Sequence, residues 1–238
     1  MVMTATRMAY GKQDAVPGLE NGDHLTQVEF HRRYAALGEE IKAELVEGIV
    51  HMPSPTRMNH ARAHAAIIGW LSFYSAYTSG TELADNATVI LDGDNEVQPD
   101  VLLRKVEGGS SRVNDEDYVV GPPELIVEIA SSSAAYDLYE KRNAYRRNGV
   151  QEYMVWTLHE NAIHWFRLHE GRYVQVEPDD TGVIRSQVFP GLWLNVPALL
   201  RHDLPTVLAT LQAGMDAQQR PGPGGPGAAA ASTEDAAE

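Results

Sequence analysis

The sequence predicts a single α/β domain, a central mixed β-sheet flanked by helices. Three observations predict it. The chain has 238 residues, 43% of them hydrophobic, enough for one domain with a genuine core but tight for two. Residues 125–129 (Leu-Ile-Val-Glu-Ile) form a near-continuous apolar run of strand length, the mark of a buried central strand. Around it, helical and strand periodicities alternate in the order α-β-β-α-β-β-β-α-β-β-β.

The elements follow in turn. Residues 1–24 read as a loose arm, 25–211 as the domain, and 212–238, rich in Pro, Gly and Ala, as a disordered tail with too few large apolar groups to pack; cutting at Gly214 is expected to leave the melting temperature unchanged. Thr26-Gln-Val-Glu29 has the spacing of a capping box and starts a short helix carrying Val28, Phe30 and Tyr34. Residues 43–52 form a hairpin around Glu47-Gly48, broken by Pro53 and Pro55. Thr56 can cap a long helix to about Tyr77, on which Ala61, His64, Ala65, Ile68 and Leu71 recur at helical spacing. Residues 88–91 and 97–103 flank Asp92-Gly-Asp-Asn95 as a second hairpin. The polar stretch 104–123 reads as a long loop of the kind that is functional or mobile. After the 125–129 strand, Ser131 to Ser133 can cap a helix that stops at Asn148-Gly149. Three strands, 152–158, 162–168 and 172–177, complete the order. Trp156, Trp165 and Trp193 read as core residues.

Charge and composition narrow the function. Lys and Arg number 19 against 33 Asp and Glu, a formal charge of −14. Phosphate neutralisation dominates non-specific nucleic-acid binding, so free DNA is repelled at long range and any DNA contact must be local, metal-bridged or partner-assisted. Part of the excess is peripheral, since beyond Leu211 the acids Asp216, Glu234, Asp235 and Glu238 face Arg220 alone. There is no cysteine, which excludes disulfides and thiolate metal sites. No apolar run approaches the ~18 residues that a membrane span requires. The first 23 residues lack a secretory apolar stretch, which predicts a cytoplasmic protein.

Glu128 is the most informative residue. An isolated carboxylate inside an apolar strand costs several kcal/mol to bury, so it must meet a cation, bind a metal or surface in a cleft. Asp100 follows Gln98-Pro99 in the neighbouring strand, where proline kinks the strand or marks an edge. Asp137, Lys141 and Tyr145 are spaced i, i+4, i+8 and share one helix face. If the Lys141 ammonium reaches the cleft, Lys141→Ala is expected to leave folding largely intact and to lower activity on the order of 10²-fold or more. The bland alternative, an exposed pair with Asp137, predicts little change in activity. Arg142, Arg146 and Arg147 make the same helix the densest positive stretch, a place to meet a phosphate backbone. His60 and His64 lie i, i+4 and could bind a transition metal, although capping or solvated histidines are commoner.

The combination of Glu44-Leu45 with Gly48, Gln98-Pro99-Asp100, Val127-Glu128-Ile129, Ser133, Asp137, Lys141, Tyr145 and Gly149-Val-Gln-Glu-Tyr153 resembles the Uma family of restriction-endonuclease-type proteins, within the PD-(D/E)XK nuclease superfamily. The resemblance covers residues 25–200, including Phe189-Pro-Gly-Leu192. It implies a restriction-endonuclease-like core and a metal-dependent endonuclease that hydrolyses DNA phosphodiester bonds. Asp100, Glu128 and the Ile129 carbonyl would hold Mg²⁺, with Mn²⁺ as substitute. Two positions depart from the pattern. The superfamily lysine normally lies two residues after the glutamate, where this chain has Ala130, so the resemblance moves that role to Lys141 on the following helix. The segment after the strand reads Ser131-Ser-Ser133 in place of Ser-Pro-Ser. Glu44 matches an early acidic position that could hold a second metal or a water, and His60 matches a histidine near this point. DNA is the implied partner, and the resemblance allows a homodimer. The competing reading, favoured by the acidic balance, is a catalytically silent member of the fold that serves as a protein-interaction or regulatory module; a metal-dependent hydrolase of another substrate has only the His pair behind it.

Overall fold

The computed structural model of the chain describes residues 16–37, 41–53, 55–131 and 133–219. The expected N-terminal arm begins outside them, but its described part is docked. Leu19 is buried, and Gly22 N donates to Val50 O at 2.8 Å.

Helix α1 (Gln27–Tyr34) starts at Thr26, whose hydroxyl accepts from Glu29 N. It buries Phe30 and leaves Val28 exposed. Strands β1 (Glu44–Val46) and β2 (Ile49–His51) form the hairpin, turning through Glu47 and Gly48 at positive φ. Helix α2 (Met58–Tyr77) is capped by Arg57 rather than Thr56, without a side-chain bond. It buries Ala63, Ile67, Trp70, Leu71 and Tyr74. Of the residues that recur at helical spacing, Leu71 is buried, while Ala61, His64, Ala65 and Ile68 line a cleft.

Strands β3 (Thr81–Asp85), β4 (Val89–Asp92), β5 (Asn95–Val97) and β6 (Val101–Lys105) follow. The single strand expected over 97–103 is therefore two strands, and they belong to different sheets. The stretch expected to be a long loop carries β7 (Arg112–Val113) and β8 (Val119–Val120) and is folded. Then come β9 (Leu125–Ala130), α3 (Ala134–Tyr136), a π turn (Asp137–Lys141), α4 (Arg142–Asn148), β10 (Glu152–Thr157), β11 (Ala162–His169) and β12 (Arg172–Val176). Gly149 closes α4 with φ 87°, a left-handed cap that glycine adopts without a Cβ clash. Strands β13 (Val183–Arg185) and β14 (Trp193–Asn195) and helices α5 (Val196–Leu200) and α6 (Leu204–Gln219) complete the chain. The expected tail boundary at residue 212 thus falls inside α6, where Gly214 and Met215 are buried. A Cβ on Gly214 would lie 2.5 Å from Gly191 O, so this turn of α6 is seated by backbone contact. Residues 220–238 lie outside the described residues.

One mixed sheet was expected; the described residues form two of six strands, β12-β11-β10-β9-β6-β3 and β2-β1-β5-β4-β8-β7, with β13-β14 apart. In the first, β9 and β10 are the parallel pair, joined by the α3–α4 segment as a crossover. All six residues of β9 are buried, and they alternate between two cores. Leu125, Val127 and Ile129 join α2 and α6 residues such as Trp70, Leu71 and Leu211. Ile126 and Ala130 join Tyr145, Val46 and Val97 on the other face. A strand buried on both faces reads as a continuous apolar run, which is why it was legible. Trp156 and Trp165 are buried; Trp193 is only half-buried. No helix among the described residues is long and apolar enough to cross a membrane.

Candidate active site

The site begins where the chain crosses between sheets. Val97 pairs with Val89 in one sheet and Val101 with Val127 in the other, so Gln98, Pro99 and Asp100 bridge them. Pro99, with no N–H, suits a segment that leaves one ladder before joining the next. The antiparallel register runs Leu103↔Leu125, Leu102↔Ile126, Val101↔Val127. Asp100 and Glu128 are the next residues beyond this ladder on the two strands, and both line the same cleft. Asp100 Oδ2 accepts from Ile129 N at 2.7 Å, which fixes the carboxylate against the strand.

Glu128 sits on the face covered by the helical crossover. Its Oε1 accepts from Lys141 Nζ at 2.9 Å and from the Tyr145 hydroxyl at 2.8 Å. Lys141 Nζ also contacts Glu44 Oε1 at 2.8 Å, and that same oxygen accepts from Gln98 N at 2.7 Å. The π turn delivers the lysine. Asp137 and Lys141, four residues apart, face inward together from it, and both are buried, at 4% and 3% exposure. The bland alternative of an exposed pair with Asp137 does not hold, and the expectation that Lys141→Ala leaves folding intact is corrected. Lys141 is a buried ammonium between two carboxylates, and its loss would strand both. Asp137 accepts from Ser133 Oγ at 2.6 Å.

Burial by itself would strip Lys141 of its proton, but the Glu128 and Glu44 carboxylates outweigh it and hold the ammonium charged, well above its ordinary pKa. Burial pushes Glu128 well above the carboxylate range; Lys141 opposes this, and Asp137, Asp100 and Glu44 reinforce it. Asp137 is raised, again chiefly by burial against the pull of Lys141. Burial also raises Asp100, yet His60 and Ile129 N more than offset it, leaving a lowered pKa.

His60 Nε2 lies 3.3 Å from Asp100 Oδ1, and its Nδ1 is buried without a partner among the described residues. The Asp100 carboxylate holds the His60 imidazole above its ordinary pKa, against burial. His64 is committed elsewhere, with Nε2 at 2.9 Å from Asp100 O and 3.0 Å from Asp85 Oδ1. The two rings stand 6.0 Å apart and do not form the chelating pair that their spacing suggested.

These groups line one cleft of about 1140 Å³, which holds Glu44, His60, Asp100, Glu128, Ile129 and Lys141. All the sequence-predicted site residues are thus brought together. Arg142, Arg146 and Arg147 are not among its walls. Arg142 stacks over Phe166, Arg146 donates to Gly171 O, and Arg147 pairs with Glu47. The cleft's cationic wall comes from Lys42 and Arg57, which no sequence pattern marked. Tyr145 was missed as a site residue, although it stands one helical turn beyond Lys141. Tyr136 was missed as well; its hydroxyl is buried with no partner among the described residues, and its ring lies 4.3 Å from that of His51.

No group of three His, Asp or Glu side chains among the described residues is already gathered as a metal cage. The donor chemistry nevertheless fits a hard divalent cation. Glu44, Asp100, Glu128 and Asp137 share the cleft with one buried ammonium, an acidic excess that a cation would relieve.

Comparison with known proteins agrees with this architecture. The sequence profile of the Uma2 family, described as "Putative restriction endonuclease", matches residues 28–197. The crystal structure of "a putative nuclease belonging to DUF820 from Anabaena variabilis ATCC 29413" is similar in fold, with a TM-score of 0.59 and 13% identity over 71% of this chain and 96% of that one. No curated protein matches. The mixed α/β architecture is restriction-endonuclease-like, and the chain belongs to the Uma2 family.

Proposed function

We propose that the chain is a metal-dependent endonuclease that hydrolyses DNA phosphodiester bonds at this cleft. The observation that carries the reading is the acidic crowding around Lys141. Glu44, Asp100, Glu128 and Asp137 share an open cleft with one buried ammonium, and its walls also carry Asp85, Lys42 and Arg57. In a structural ion pair the charges would be matched, because an uncompensated buried carboxylate is costly.

Asp100, Glu128 and the Ile129 carbonyl are the groups to hold Mg²⁺, or Mn²⁺ in its place. When bound, the cation supplies Lewis-acid polarisation of the phosphodiester and lowers the pKa of an attacking water. Ile129 N and the contact with His60 orient the Asp100 carboxylate. Tyr145 steadies Glu128 by donating to Oε1. Lys141, held charged by Glu44 and Glu128, presents a positive charge to the negative charge that develops on the phosphoryl oxygens. Lys42 and Arg57 give the nucleic-acid backbone a local foothold on an otherwise acidic chain.

The test is nicking of supercoiled plasmid with Mg²⁺ or Mn²⁺ against an EDTA control. Glu128→Gln keeps an acceptor for Tyr145 and Lys141 but removes the anionic ligand, so cleavage should fall on the order of 10²-fold or more. One observation favours the second reading, a catalytically silent interaction module: the helix arginines are spent on intramolecular contacts and the formal charge is −14. Under that reading neither cation elicits nicking at any protein concentration.

A further inference from the structure

We infer that His60 is itself a ligand of the catalytic cation, which makes the centre a mixed nitrogen–oxygen site that prefers Mn²⁺ to Mg²⁺. This rests on the reading of the cleft as a metal-dependent nuclease site and adds the identity of one ligand and of the metal.

The argument starts from a distance. His60 Nε2 and Asp100 Oδ1 are 3.3 Å apart. That is longer than the ~2.7–3.2 Å of a sound N–H···O bond. It does match two donors at neighbouring corners of one coordination sphere, which sit about 3.0–3.3 Å apart when each bond is about 2.1 Å. The second fact is placement. His60 stands on the first turn of α2, whose start is set by Arg57, and its ring lines the cleft with Glu128 and Ile129. It therefore approaches from α2 rather than from the Lys141 helix, beside Asp100. The third is tautomer freedom. The ring nitrogen that carries the proton is set by the bond the other nitrogen makes. With Nδ1 unpartnered among the described residues, that nitrogen can carry the ring proton and leave Nε2, the nitrogen that faces Asp100, to bind the cation in place of this contact. His64 shows the contrast, since its Nε2 is occupied by Asp85 and the Asp100 carbonyl.

An imidazole in the coordination sphere shifts metal choice. Carboxylate and carbonyl oxygens suit Mg²⁺ and Mn²⁺ alike, whereas nitrogen is the weaker ligand for Mg²⁺. The acidic residues alone give no such preference.

Pulsed EPR on the full chain loaded with Mn²⁺ reads this directly, without reference to cleavage. Directly bound imidazole gives ¹⁴N modulation at the Mn²⁺ electron spin. We expect that coupling in the parent protein, its loss in His60→Gln, and its retention in His64→Gln. Calorimetric titration should show Mn²⁺ affinity falling on the order of tenfold or more in His60→Gln, with a smaller change for Mg²⁺. Mn²⁺ that binds the parent without ¹⁴N coupling, or coupling that survives His60→Gln, overturns the inference and leaves the nuclease reading standing. A Glu128→Gln or Asp100→Asn protein that binds Mn²⁺ as tightly as the parent overturns the reading beneath it as well. Because the parent spectrum needs no variant, poor folding of His60→Gln cannot hide a missing coupling.

Discussion

The two ends of the parallel strands β9 and β10 both carry buried glutamates, and they use them differently. At the N-terminal end, Glu124 accepts from Lys105 N at 2.8 Å and Ser110 N at 2.7 Å. Glu152 accepts from Ser186 Oγ at 2.7 Å and Gln187 N at 3.0 Å. Each is satisfied by neutral backbone or hydroxyl donors, and each ties down a loop. At the C-terminal end, Glu128 accepts from the ammonium of Lys141 and the hydroxyl of Tyr145, among three further acids that face a cleft. Ligand sites in α/β proteins gather at the carboxyl ends of strands, where loops diverge and leave a crevice. Burial of a carboxylate therefore does not by itself mark a site. Acids that outnumber their donors beside an opening do.

Lys141→Ala should show the largest effect, because it strikes the crowded end twice. Removing one partner of a buried ion network leaves Glu44 and Glu128 uncompensated, which costs about 3–5 kcal/mol. Urea melts should show that loss, where the sequence alone led to the expectation of intact folding. Divalent cation should restore part of it by taking over the charge. Cleavage per folded molecule should fall on the order of 10²-fold. A variant as stable and as fast as the parent would erase the difference between the two ends.

The opposite end offers the converse experiment. Glu124→Ala strips the acceptor from two backbone N–H groups and should cost about 1–3 kcal/mol per donor left buried and unpaired. Cleavage per folded molecule should stay at the parental value, since no Glu124 contact reaches the cleft. A selective loss of activity with stability intact would place the N-terminal end in the mechanism.

The smallest expected effect is a pH slope. Burial holds the Glu152 carboxyl above its ordinary pKa, against the pull of Ser186 and Gln187. The folded protein thus binds this proton more tightly than the unfolded chain. Its contribution is fully present below the unfolded value of about 4.3 and is lost as pH rises through the raised folded value. Glu152→Gln should flatten the stability–pH curve in that window, measured as the difference in urea midpoint between variant and parent. An unchanged slope would mean that another acid supplies it.

Much of the site was legible for a physical reason. Glu128 stands out because a charge inside an apolar strand demands a partner, and the demand is local to the sequence. The Thr26 cap, the Gly48 turn and the Gly149 stop are local as well, each set by a few adjacent residues. The β3 strand, the split of residues 97–103 and the folding of 104–123 were not legible, because short half-buried strands differ little from loops until a neighbour pairs with them. The end of α6 was hidden by its Ala, Gly and Gln composition and is held by contact with Gly191 and Trp193.

By itself, then, the sequence determined the α/β class, the central strand, and the acidic and basic residue types that suit phosphodiester chemistry. Only the tertiary structure decided which of them meet. Asp100 and Glu128, 28 positions apart in the chain, are brought to one cleft at the end of the β6–β9 ladder, and Glu44 reaches Lys141 from another sheet. Packing of the crossover segment against β9 and β1 makes what could read as a surface lysine a buried ammonium. The same packing turns Arg142, Arg146 and Arg147 away from the cleft. Pairing and burial are long-range outcomes of how two sheets and a crossover helix stack, and no local pattern encodes them.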